Sequence, residues 1–188
     1  MTTITIFLAS SNELEADRRA FEIEINRKNK LLKEKEVFLH LDIWEDLSTR
    51  MSPTRSQDEY NKAIGAADMF VLLAWNKVGK YTEEEFDTAC RVFKSTGKPA
   101  IFTWFKEPPV APEPSLEQFR KKLAGLAHFG ATYKEAEDLW VQFNKELERL
   151  DLASLGQRDD ASGIYVDNRG ANIHNQFNGG TINNPTFH

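Results

Sequence analysis

The chain has 188 residues, 40% of them hydrophobic, which is enough for one buried core and, on length, one domain. A formal net charge of −5 with no basic stripe excludes a general nucleic-acid or membrane surface, since either requires an excess of Lys and Arg. No apolar run approaches the ~18 residues of a membrane span, and Met1-Thr2-Thr3 lacks the charged start of a secretory leader, so a cytoplasmic protein is expected.

Strands and helices alternate along the sequence. Thr3 to Ala9 reads as a strand, and Glu13 to about Lys35 as a long helix with Leu14, Phe21, Ile25 and Leu32 on its apolar side and Asn12 as N-cap. Asp17 with Arg18, and the run Arg27-Lys28-Asn29-Lys30, read as a solvated face of that helix. Val37 to Ile43 is a second strand, followed by a polar connection containing Pro53 and a helix from about Gln57 to Ala67. The uninterrupted apolar run Met69 to Ala74 has the composition of a strand covered on both faces.

A helix then opens near Tyr81 and ends at Gly97-Lys98-Pro99, because glycine suits a left-handed C-terminal position and proline cannot continue the helix. Ala100 to Phe105 is a fourth strand, and 107–114, rich in proline, is an extended loop. A helix from about Leu116 to Leu126, a short strand near Ala131 to Tyr133 and a helix from about Lys134 to Leu152 complete an α/β domain over 1–156. Such alternation implies right-handed crossovers and a mostly parallel sheet with helices on both faces.

The richest chemistry lies where the third strand gives way to its helix. Ligands bind beyond the carboxyl ends of parallel strands, and Tyr81-Thr82-Glu83-Glu84-Glu85-Phe86 loads that place with carboxylates. Residues three or four apart share a helix face, so with Phe86, Ala89, Cys90 and Phe93 as the apolar stripe, Glu85 borders the buried side. Glu83 and Glu84 reach water and complement the positive end of the helix dipole. Cys90, the one cysteine, reads as core packing.

Other candidates gather at the same sheet edge. Ser10 and Ser11 follow the first strand, where hydroxyls and free backbone N–H groups bind phosphate or ribose oxygens or form a capping turn. Trp44, ending the second strand with Asp42 and Glu45, is suited to stacking on a base or, more simply, to covering the sheet edge. Lys77 and Lys80 flank Gly79 and suit a pyrophosphate or, as the more ordinary pairing, the acidic helix start. His40 and His128 show no ligand spacing with other donors, so no metal site is expected.

The pattern of apolar strand, short loop, aromatic residue, three residues, Glu, bulky apolar residue and Ala, here Met69 to Ala74 with Tyr81, Glu85, Phe86 and Ala89, resembles the catalytic region of Toll/interleukin-1 receptor (TIR) domains that cleave NAD. Ile4 to Ser11 is similar to a TIR first strand and its nucleotide-side loop, and the likeness runs from about Thr3 to about Leu150. Three departures stand out: Tyr81 replaces Trp, Gly79 stands where Ser is common, and no familiar BB-loop motif is present. The resemblance implies a flavodoxin-like or TIR-like sheet. It implies a catalytic Glu85, a Tyr81 shaping the nicotinamide pocket, and Ser10, Ser11 and Lys77 on the phosphate and ribose side. NAD would be the substrate, with no separate cofactor.

From 157 to 188 the composition shifts to Asn, Gln and Gly with isolated apolar residues, among them Ile173, Phe177 and Ile182. This tail is low in complexity and is read equally as disordered or as a strand-forming segment that stacks through amide ladders. It resembles the short amyloid-signalling motifs attached to immune effector domains, which implies a homo-oligomer or filament, or a sensor protein sharing the motif. The whole reads as an NAD glycohydrolase effector activated by self-association. Two alternatives stay open: a non-catalytic TIR-like adaptor, and a nucleoside deoxyribosyltransferase-like enzyme, which Glu85 followed by Gly97-Lys98-Pro99 and a strand resembles although the acidic sugar-binding loop has no counterpart.

Overall fold

The continuous apolar runs become the inner strands of one parallel sheet. A computed structural model describes residues 1–43, 56–108 and 111–156, all within the unit Met1–Gln157. Its elements in chain order are β1 (Thr2–Ser10), α1 (Glu15–Leu32), β2 (Val37–Ile43), α2 (Ser56–Ala66), β3 (Met69–Ala74) and α3 (Lys80–Thr96). They continue with β4 (Ala100–Lys106), α4 (Pro114–Gly125), β5 (Ala131–Tyr133), α5 (Ala136–Arg149) and α6 (Leu152–Leu155). The strand order is β2-β1-β3-β4-β5 with every pair parallel, which is the flavodoxin-like order. Among the described residues no helix is long and apolar enough to cross a membrane.

Period-two alternation divides the strands between two cores. Ile4, Ile6 and Leu8 of β1 and Met69, Val71 and Leu73 of β3 join Phe21 and Ile25 of α1 and Leu139, Phe143 and Leu147 of α5. Phe7, Ala9, Phe70, Leu72 and Ala74 point the other way, into Ile64 of α2, Phe86 and Ala89 of α3, and Leu116, Phe119 and Leu123 of α4. β1 and β3 are therefore buried on both faces, as unbroken hydrophobic composition demands.

Several boundaries differ from expectation for local reasons. Asn12 lies inside a single 3-10 turn, Asn12–Leu14, so it does not cap α1, which starts at Glu15. Pro114 opens α4 instead of closing the loop before it, because its fixed φ and missing N–H suit the first helical position. The last helical stretch breaks at Leu150, whose backbone turns extended (ψ 139°), so α5 and α6 are separate. Gly97 at φ 76° closes α3, its N–H donating to the Phe93 carbonyl at 2.8 Å. Phe93 itself leaves the expected stripe and is 47% exposed.

The largest correction concerns α1. Asp17 and Arg18 do not form a solvated face: they are 4% and 1% exposed. Asp17 pairs with Lys106 of β4 at 3.0 Å, and Lys106 also lies over the Trp75 ring at 5.3 Å. A buried carboxylate is tolerable only with such a partner.

Phe143 is fully buried, with ring centroids 4.8 Å from Phe21 and 6.0 Å from both Trp104 and Trp140. Phe143→Ala is expected to destabilise the fold by about 3–5 kcal/mol through lost burial and an unfilled cavity. Urea unfolding checks this: the midpoint should fall with the slope unchanged.

Candidate functional site

β1 pairs with β2 on one edge and β3 on the other, while the chain leaves β1 toward α1 on one face and β3 toward α3 on the opposite face. The two outgoing loops diverge at this switch point, and a crevice opens between them. A cavity of about 750 Å³ occupies it, within the roughly 300–1,000 Å³ typical of small-molecule sites. Its floor is the end of β1 and the turn after it, including Ser10, Ser11 and Glu13. Tyr60 of α2 contributes from the side, and Lys77, Gly79, Tyr81, Thr82 and Glu85 form the opposite wall.

Five residues singled out from sequence, Ser10, Ser11, Lys77, Tyr81 and Glu85, thus line one cavity. Trp44 and the tail residues Ile173, Phe177 and Ile182 lie outside the described residues.

The helix start is set by Gly79, whose extended backbone (φ −74°, ψ 156°) precedes Lys80 and whose carbonyl accepts from Glu83 N at 3.0 Å. From there the α3 carboxylates separate by helical geometry. Glu83 and Asp87, one turn apart, both pair with Lys122 of α4, at 2.8 and 2.6 Å. Burial pulls the Lys122 pKa down, but the bonds from Asp87 and Glu83 outweigh it and hold the ammonium above its usual range. Glu84 accepts from Asn61 Nδ2 of α2 at 3.5 Å. Of the three glutamates only Glu85, half-buried, lines the cavity, on the same helix face as Tyr81. Tyr81 stands at the rim, 64% exposed.

Lys77 is exposed, and among the described residues neither it nor Lys80 forms an ion pair with the acidic helix start, so the ordinary pairing expected from sequence does not occur. Cys90 sits half-buried against the second core, and its thiol is raised by burial and by Asp87, which favours the inert neutral form.

Three cavity features escape sequence reading. The Arg18 guanidinium lies beneath the floor, donating from Nη1 to Ser10 Oγ at 2.7 Å and to the Ser11 carbonyl at 2.9 Å. Glu13 Oε1 accepts from Ser11 Oγ at 3.2 Å and from Asn76 N at 3.1 Å, joining the two loops across the switch point. Tyr60 completes the side wall. One signal was present: Arg18 lies four residues after Leu14 and three before Phe21, on the apolar stripe of α1.

No group of His, Cys, Asp and Glu suited to a metal ion occurs among the described residues. His40 does face a carboxylate, with Nε2 3.0 Å from Asp42 Oδ1, although both side chains are partly exposed.

No family model matches the chain, and no curated protein does. Among solved structures it is similar to the CMP N-glycosidase BcmB of Clostridium botulinum, at 17% identity over 76% of this chain and 98% of that one, with a TM-score of 0.48. It is also similar to a conserved protein of Enterococcus faecalis V583, at 13% identity over 79% and 99% of the two chains, with a TM-score of 0.42. Likenesses of this size do not extend to the chemistry of the cavity.

A second, smaller depression of about 200 Å³ lies beside β4 and includes His128. The His128 ring is 3.1 Å from Thr103 Oγ1 and tilts against Phe86, and burial lowers its pKa below 6.5. The unfolded chain therefore binds this proton more readily than the native state. The stability tied to neutral His128 is complete above pH 6.5 and is lost as pH falls from there toward the depressed value. Between about pH 7 and about pH 5 the urea midpoint of the parent protein should consequently drop more than that of His128→Gln. Parallel unfolding curves at the two pH values check the difference.

Proposed function

We propose that the cavity hydrolyses the nicotinamide–ribose bond of NAD, in the manner of a TIR-like glycohydrolase. The observation that carries this reading is that Glu85 shares one cavity with Ser10, Ser11, Lys77 and Tyr81. A half-buried carboxylate facing hydroxyls, a cation and an aromatic ring suits a nucleotide whose glycosidic carbon develops positive charge.

The chemistry favours NAD over neutral nucleosides. Glycoside cleavage ordinarily needs two carboxyl groups, one to protonate the leaving group and one to stabilise the oxocarbenium centre. In NAD the leaving pyridinium already carries the positive charge. When the C1′–N bond breaks, the electron pair departs with nicotinamide as a neutral base, and no acid is required. Glu85 then stabilises the cationic ribose carbon until water adds there and releases a proton, giving nicotinamide and ADP-ribose. Among the described residues Glu13 also lines the cavity, and it accepts from Ser11 and Asn76. Lys77 suits the pyrophosphate, and Tyr81 provides an aromatic plane one turn before Glu85. Activation by self-association through the tail belongs to the same proposal.

Incubation of concentrated protein with NAD, NADP and free nucleosides, with chromatographic resolution of products, tests the reading. Nicotinamide release from NAD without base release from nucleosides is the expected result; base release from nucleosides without NAD cleavage would overturn it. Glu85→Gln keeps size and hydrogen bonding but removes the charge, so turnover should fall by about 10²–10³ while the unfolding curve stays unchanged. Glu84→Gln should leave turnover near the parent value. At the rim, Tyr81→Trp should retain turnover and Tyr81→Ala should lower it. Equal rates in all three proteins would assign Tyr81 to packing.

A further inference from the structure

We infer that Glu13 is a positioning residue that sets the width of the cavity by fixing the β3–α3 loop against the end of β1. The inference deepens the reading proposed above and rests on it for its catalytic consequence.

The β3–α3 loop carries Lys77 and leads into the helix that bears Tyr81 and Glu85, so its placement decides where the whole wall stands. On the side away from β1 it is held at two backbone points: Asn76 O accepts from Glu113 N at 2.8 Å, and Val78 N donates to Ser115 Oγ at 3.3 Å. Across the switch point, Asn76 N donates to Glu13 Oε1 in the turn after β1, at 3.1 Å. The same oxygen accepts the Ser11 hydroxyl at 3.2 Å. Ser11 in turn is anchored from below, its carbonyl taking Arg18 Nη1 at 2.9 Å. A chain of contacts therefore runs from the buried guanidinium through Ser11 and Glu13 to the opposite wall.

One carboxylate oxygen with two lone pairs serves both donors. The carbonyl oxygen of a glutamine can do the same, whereas alanine removes both bonds. This separates a clamp from a charge that acts on the ligand. Misplacing reacting groups by about 1 Å can cost on the order of 10² in rate, so loss of the clamp should appear chiefly in kcat.

The test compares the parent, Glu13→Ala and Glu13→Gln by hydrogen exchange at the Asn76 amide and by kcat and KM for NAD. The expected result is faster Asn76 exchange and a kcat lowered by about 10- to 10²-fold in Glu13→Ala, with KM changed much less. Glu13→Gln should keep the amide protected and restore most of kcat. An Asn76 amide equally protected in Glu13→Ala would overturn the inference. So would a Glu13→Gln protein as slow as Glu13→Ala with its amide protected, because Glu13 would then act through its charge. If the parent protein leaves NAD intact, the proposed reaction fails on its own, and Asn76 exchange in the two variants still decides the clamp.

Discussion

The position of β1 governs the rest of the molecule. It is hydrogen-bonded along both edges by parallel strands, Ile4 opposite Leu39 on one side and Ser10 opposite Leu73 on the other. Each parallel neighbour requires a crossover helix on one face. Because α1 packs with the first core and α3 with the second, the chain parts in opposite directions above β1 and β3. The register then does the remaining work: Ser10 ends β1 level with Leu73, one residue short of the end of β3, and brings Ser11 and Glu13 within reach of Asn76. The cavity follows from strand order, and its chemistry follows from which residues terminate those two strands.

How much of this can be read from the sequence depends on whether a residue's partner is local. β2 and β3 are legible to the residue because apolar residues alternate along β2, at Val37, Leu39, Leu41 and Ile43, while β3 is an unbroken apolar run. Glu85 is legible because its relation to Tyr81 and Phe86 is a matter of helical spacing, which the isolated helix already fixes. Asp17, Arg18 and Glu13 are not, because charge patterning treats a charged residue as solvated unless its partner is known. The partner of Asp17 is Lys106, 89 residues away, and Glu13 meets Asn76 only once β1 and β3 are paired. Arg18 is the intermediate case: its place on the apolar stripe of α1 marks it as inward-facing, while what it holds there depends on the fold.

The same distinction separates the two halves of the site mechanically. Glu85 stands in the second turn of α3, whose position is fixed by Phe86 and Ala89 in the core and by Lys122 bridging Glu83 and Asp87 to α4. A group on a rigid helix is held to a narrower tolerance than one on a loop. The floor is the end of β1 and the turn after it, and that turn is held by other means, with Arg18 bonded to Ser10 and Ser11 and Glu13 reaching across to Asn76.

This division predicts where the site tolerates change. Replacing a side chain on the cavity face of α3 leaves the helix in place, because its backbone is carried by the buried Phe86 and Ala89. Replacing Arg18 or Glu13 instead removes a tie between backbone segments, so its consequences spread to Ser10, Ser11 and Lys77 together. At the buried Arg18, each partner left behind would also lose its hydrogen bond without regaining water. The Glu13 side chain and the Arg18 guanidinium therefore belong to the architecture of the cavity, through the backbone segments that they tie together.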